Sequence, residues 1–257
     1  MSGAWAIVPL VPLIAGIAIS VIVFAVILSS LSTLPRSPGT TNSTAVVGTV
    51  LGAVSAAIFL SEFVYFIVLI LVAVTVFKLV SRRNNHFNRQ ILLFEDLVTV
   101  AKEIAAKKNI DVSVLVNNMD RSVREARLEQ SEKNATLWAI FYGLGWLYSS
   151  YFLMKDFFKH ERREDLFIND LLRTFNALGM PINLPYRNPP IPDRSFALYF
   201  ILTIITASIF GVYWVYVLVS DPNNHFKQQM MIEDTIMAQL SSTLPPSPAP
   251  APSPLPG

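Results

Sequence analysis

The sequence predicts an all-α integral membrane protein. It would have three or four membrane helices plus cytoplasmic or interfacial amphipathic helices, built on a degenerate three-copy helix–joint–helix repeat. Three observations carry that prediction. The chain is 53% hydrophobic and only 15% charged, against about 25% charged residues in a soluble domain. Its first charge is Arg36, and between Arg36 and Lys78 only Glu62 is charged. Leu79-Val-Ser-Arg-Arg-Asn-Asn-His86-Phe-Asn-Arg-Gln90 also recurs as Leu218-Val-Ser-Asp-Pro-Asn-Asn-His225-Phe-Lys-Gln-Gln229, identical at eight of twelve positions. Internal self-similarity of this kind points to a repeated structural unit.

The elements follow in chain order. Residues 4–31 form an apolar run without a positive leader, so they read as a retained membrane helix rather than a cleaved signal. Pro9 and Pro12 fall in its first turns, where a missing N–H costs least. The polar residues 32–45 form a loop carrying the Asn42-Ser43-Thr44 sequon. Residues 46–80 are apolar throughout; as one helix they would extend about 52 Å, past the ~30 Å hydrocarbon core. With no Gly or Pro near Ser61-Glu62, a projecting helix is favoured over a broken one. Lys78, Arg82, Arg83 and Arg89 place this end in the cytoplasm and the 32–45 loop outside. Residues 1–80 thus form a two-helix membrane hairpin.

Residues 81–134 are charged and helical in pattern. Phe87, Ile91, Phe94, Val98, Ala101 and Ala105 make one apolar stripe. A second helix is expected from Asp111 as N-cap, with Leu115, Met119, Val123 and Ala126 on its face. Arg121–Lys133 reads as a solvated helical face. Residues 135–194 combine an aromatic segment centred on Gly143 and Gly145, a basic amphipathic helix with Ile168, Leu171, Phe175 and Leu178, and a connector with five prolines from Pro181 to Pro192. Residues 135–154 are read as a full span, with a re-entrant hairpin tipped by Gly143 and Gly145 as the alternative. Ten Lys/Arg in 81–134 and seven in 155–195 argue for the alternative, because a full span would put the second basic segment outside. Residues 195–240 hold a spanning candidate at 196–219 and an amphipathic helix opening at Asp221-Pro222. Residues 241–257 form a disordered Pro-rich tail.

A third, fainter copy of the repeat surrounds His160. Tyr148, Tyr151, Leu153, Asp156 and His160 match Tyr213, Tyr216, Leu218, Asp221 and His225 in spacing, and these are the only three histidines. Four residues after each lies Gln90, Glu164 or Gln229; acids recur further on at Glu95-Asp96, Asp170 and Glu233-Asp234. The preferred reading is a membrane-surface joint, formed by Asn84, Asn85, His86, Asp156, His160, Asp221, Asn223, Asn224 and His225. Three imidazoles with nearby carboxylates also fit zinc, copper or iron, but spacings of 74 and 65 residues put each on a separate helix with nothing local to bring them together. Glu62, inside an apolar segment, is a candidate ion or proton site.

The absence of cysteine excludes disulfides, thiolate metal sites and cysteine nucleophiles. No phosphate-binding loop, serine elbow or His-Glu-x-x-His motif is present, and a net charge of +2 gives no footprint for nucleic acid. Gly211-Val-Tyr213-Trp214-Val-Tyr216 leading into Asp221-Pro-Asn-Asn-His225-Phe resembles a family of short prokaryotic membrane domains of unknown function. That resemblance implies a membrane domain and carries no activity, cofactor or catalytic residue. The expectation is a non-enzymatic, cofactor-free membrane scaffold or accessory subunit, oligomeric or bound to other membrane subunits in a cell-membrane bilayer. A small channel or transporter using Glu62 and a membrane metalloprotein using His86, His160 and His225 are the alternatives.

Overall fold

The structure is a computed structural model that describes residues 10–32 and 43–243. Among them there is no strand. Seven helices follow in order: α1 (Leu10–Ser32), α2 (Ser43–Lys108), α3 (Ser113–Glu129), α4 (Ala135–Ile140), α5 (Tyr142–Ala177), α6 (Phe196–Ile205) and α7 (Ile209–Thr243). Most of the 32–45 loop with Asn42, and the tail from Pro245, lie outside the described residues.

The chain forms two compact units, neither contiguous in sequence. Unit 1 takes residues up to Arg82, Lys133–Met154 and Ser195–Ser220; unit 2 takes Arg83–Glu132, Lys155–Arg194 and the chain from Asp221. The boundaries fall inside the three histidine segments, so the five consecutive regions expected from the sequence are not the compact units. The predicted joints are also absent as breaks: α2, α5 and α7 run unbroken through them. Pro222 lies inside α7 rather than at a helix start. A proline in a helix interior costs about 3 kcal/mol, and long helix on both sides outweighs it.

Unit 1 consists of helical hairpins. α1 and α2 share an apolar groove lined by Ile22, Val26, Ala53 and Ala57. α2 passes Ser61 and Glu62 without interruption, and Glu62 is exposed. Two corrections concern the other apolar stretches. Residues 135–154 are not one helix: the chain turns at Phe141, and Trp138 of α4 folds back onto Tyr148 and Phe152 of α5. The turn is not at Gly143 and Gly145, which lie within α5. Residues 196–219 are also broken, because Thr206, Ala207 and Ser208 form a turn with positive φ at the last two. There the Thr206 hydroxyl accepts the Phe210 N–H at 2.9 Å, and short hydroxyl side chains compete with helical hydrogen bonding in this way. α6 therefore packs back on α7, with Phe196 and Tyr199 against Trp214. Asn134 and Ser195 cap the two short arms by accepting the N–H groups of Leu137 and Leu198. Among the described residues one helix, Val50–Lys108, is long and apolar enough to cross a membrane.

Unit 2 packs the later parts of α2, α5 and α7 with α3. Its core holds Phe94, Val98 and Ala101 from α2, and Met119 and Val123 from α3. Phe167, Leu171 and Phe175 from α5 and Ile232 and Ile236 from α7 complete it. The predicted stripe is thus buried, with Ala105 half-buried at its end. α3 starts at Ser113 after the N-cap residue Val112, one position later than expected. Asp111 still supports that start: its Oδ1 accepts the Ser113 N–H at 2.9 Å, and these bonds hold its carboxyl below the usual range.

Candidate metal centre

The three histidines meet inside unit 2. His86 sits on α2, His160 on α5 and His225 on α7, all buried, and one ring nitrogen of each lies within 4.8 Å of the other two. His86 Nε2 is 3.1 Å from His225 Nε2 and 3.1 Å from His160 Nε2. Their convergence follows from helix register. Each histidine is followed four residues later, on the same helix face, by a buried Gln90, Glu164 or Gln229. Aromatic rings wall the cluster, with Phe87 stacked on His160 at 4.0 Å and Phe226 4.4 Å from His86 between ring centroids.

Proton placement in this cluster is awkward. A neutral imidazole carries one proton on one of its two nitrogens. His225 Nδ1 lies 3.0 Å from Glu161 Oε2 and 3.2 Å from Arg187 Nη1; with Glu161 ionised, the proton is assigned to Nδ1 facing that carboxylate, and Nε2 is then a bare lone pair. If His86 donates from Nε2 to His225, two arrangements remain for His160. Either its Nε2 is bare and its proton sits on Nδ1, which is buried without a hydrogen-bond partner, or its Nε2 donates to Gln90 and crowds a second N–H against that of His86 at 3.1 Å. If instead His160 donates from Nε2 toward Gln90 Oε1 at 2.8 Å and toward His86, then His86 and His225 face each other with two lone pairs. A cation where the lone pairs converge removes that repulsion. The spacing suits one: donors held about 2.0–2.1 Å from a tetrahedral ion are separated by about 3.3 Å.

A charged shell supports the histidines. Arg187, from the Pro-rich connector, lies 2.5 Å from Glu164 Oε1, 3.1 Å from Asp165 Oδ1 and 3.5 Å from Glu161 Oε2. It also donates to Gln229 Oε1 at 3.0 Å. Glu161 Oε1 accepts the Ile191 N–H at 2.6 Å. Burial opposes ionisation of Glu161, but the His225 and Ile191 hydrogen bonds and the Arg187 charge outweigh it and hold the carboxyl below its ordinary value. Burial pushes Glu164 up, against the pull of His225 and Arg187, and raises Asp165 as well. Burial, with the neighbouring His86, His225, Arg163 and Arg187, drives His160 well below the ordinary histidine value, so its ring stays neutral. Three carboxyl groups thus share one guanidinium, Glu161 and Glu164 buried and Asp165 partly exposed. A cleft of about 370 Å³ lined in part by Asp165, Tyr186, Arg187 and Pro190 reaches the edge of this shell.

The other residues singled out from sequence fall elsewhere. Asn84 is buried, its Oδ1 accepting from Arg83 at 3.0 Å. Asn85 and Asn224 are exposed and Asn223 half-buried. Asp156 pairs with Arg83 at 2.8 Å, and Asp221 with Arg194 at 2.9 Å. Glu95 pairs with Arg127, and Glu233 with Arg89; neither joins the histidines. The surface-joint reading therefore gives way to a buried cluster for all three imidazoles. Sequence reasoning passed over Glu161 and Arg187. The only available signal for Glu161 was that the middle copy replaces the Phe after its histidine with an acid.

Residues 194–244 match the family model of a domain of unknown function, DUF4234. That match includes His225 and Gln229 but neither of the other histidine segments. No curated protein and no solved structure matches the chain.

Proposed function

We propose that the chain is a membrane-anchored helical protein whose second unit is organised around a transition-metal ion held by His86, His160 and His225, and that it acts as a scaffold or accessory subunit. The convergence of three buried imidazole nitrogens is the observation that carries this reading. Imidazole donors suit zinc, copper, nickel or iron. A metal gripping α2, α5 and α7 at once would tie together the helices that build the unit, a structural role.

Membrane anchoring rests on exposed apolar surface. Ile58, Phe59, Phe63, Phe66 and Leu69 on α2 are all exposed, and such a patch needs lipid or protein cover. Helix length favours one topology. α2 is long enough to cross, whereas the 13 residues of α5 before Lys155 and the 12 of α7 before Asp221 extend only about 20 Å and 18 Å, short of a ~30 Å core. In this reading α1 and α2 cross, and α4/α5 and α6/α7 are re-entrant hairpins covered by neighbouring helices. Both basic segments then lie in the cytoplasm, which resolves the conflict with the charge bias. Glu62 does not share the histidine cluster, so the channel reading gains nothing from the geometry.

The test is metal content of the purified chain by elemental analysis, with and without His86, His160 and His225 replaced together by Ala. About one equivalent of one transition metal is expected in the native protein and none in the variant. A folded native protein that carries no metal and binds none on reconstitution overturns the reading.

A further inference from the structure

The structure assigns a fourth ligand to this centre: Glu164, through Oε2, closing a three-histidine, one-carboxylate site for a divalent first-row metal. The assignment rests on the metal reading above and adds coordination number and identity to it.

Four observations converge on Glu164. It lies one helical turn beyond His160 on α5, so its side chain leaves the same helix face toward the same point. Its Oε2 is 3.6 Å from His225 Nε2, close to the ~3.3 Å edge between donors around one tetrahedral ion; the set of mutually close donors is the three histidines, so the carboxylate swings inward to join them. Its other oxygen is held by Arg187 Nη2 at 2.5 Å, the kind of outer partner that orients a ligating carboxylate. The equivalent positions on α2 and α7 are Gln90 and Gln229, so this copy alone presents an anion. Charge agrees with geometry. Glu161, Glu164 and Asp165 share a single Arg187, and a dication beside them offsets carboxylate charge that one guanidinium does not.

Four protein donors leave no position for water or substrate, which makes the site structural rather than catalytic. The surrounding Phe87, Phe157 and Phe226 rings keep solvent out and act in the same direction.

The experiment uses the full chain in detergent, stripped with a chelator and titrated with Co²⁺, read by visible absorption and by competition with a chromophoric chelator. The native protein should give the intense bands of four-coordinate cobalt, unchanged by added azide. Glu164→Gln should weaken and shift those bands, bind about 10-fold or more weakly and become azide-sensitive, while keeping native helical circular dichroism. An azide-sensitive native spectrum, which needs no variant, overturns the closed site. So does a Glu164→Gln spectrum and affinity equal to native, since either leaves three histidines and an open position. Loss of the metal reading itself shows differently: His225→Ala would then bind cobalt as the native chain does.

Discussion

Glu161 Oε2 lies 3.0 Å from His225 Nδ1, with both side chains fully buried. With the proton on Nδ1, the carboxylate accepts its hydrogen bond, which leaves the Nε2 lone pair facing His86 and His160. Carboxylate partners of this type fix the tautomer of ligating histidines, and their loss costs 10- to 100-fold in metal affinity. Glu161→Gln should therefore still bind metal, with an affinity lower by about that factor in a chelator competition. Unchanged affinity would reduce Glu161 to a partner of Arg187 and of the Ile191 N–H.

Arg83 and Asp156 form an unequal pair. The arginine side chain is 2% exposed and the aspartate 22%, and burial alone lowers the Arg83 pKa against the pull of Asp156. Removing one partner of a buried pair costs about 3–5 kcal/mol when the other charge is stranded. Asp156→Ala strands the guanidinium, leaving it Asn84 Oδ1, the Ser131 carbonyl and the face of Phe87 but no counter-charge. Arg83→Met strands a carboxylate that reaches water. Asp156→Ala should thus be the more destabilising, by roughly 1–2 kcal/mol in denaturant midpoints, discounted for that exposure. The reverse order would contradict the burial argument.

Helix content and the core of unit 2 were legible because the 3.6-residue period is local: Phe87, Ile91, Phe94, Val98 and Ala101 are buried as the stripe requires. What failed were the interruptions. Asn-Asn-His looked like a joint because polar residues between apolar runs usually break a helix. Here the histidine side chains turn into a cluster and the backbone continues. Thr206 looked like an ordinary residue of a span, yet its hydroxyl accepts the Phe210 N–H at a turn. The meeting of three histidines was half legible, since each occupies the same place in its copy. Arg187 was not legible, because a proline-rich connector has no period from which to place a side chain.

Phe94 and Phe167 stack with centroids 3.7 Å apart and planes 7° from parallel, and Phe167 is wholly buried. Phe167→Ala removes a large side chain from the centre of the core and should cost about 3–5 kcal/mol. Leu166, its exposed neighbour on α5, gives the control: Leu166→Ala should stay within about 0.5 kcal/mol. Chemical denaturation of both variants checks the pair. Equal effects would mean that α5 does not bury this face.

The cysteine-free chain allows the membrane reading to be mapped residue by residue. Phe59 is 77% exposed on the apolar part of α2, so in a bilayer it should contact acyl chains. Glu103 is exposed on the charged part of the same helix, which the proposed topology puts in the cytoplasm with Lys78, Arg82, Arg83 and Arg89. A cysteine replacing Phe59 should resist a membrane-impermeant maleimide from either side and react only after detergent extraction. A cysteine replacing Glu103 should react from the cytoplasmic side alone, in inverted vesicles and not in right-side-out ones. A cysteine at 159 or 224, exposed positions just past the re-entrant arms on α5 and α7, should label from the side that labels position 103. Labelling of position 59 in intact vesicles, or of 159 and 103 from opposite sides, would exclude two crossing helices with two hairpins entering from the cytoplasmic face.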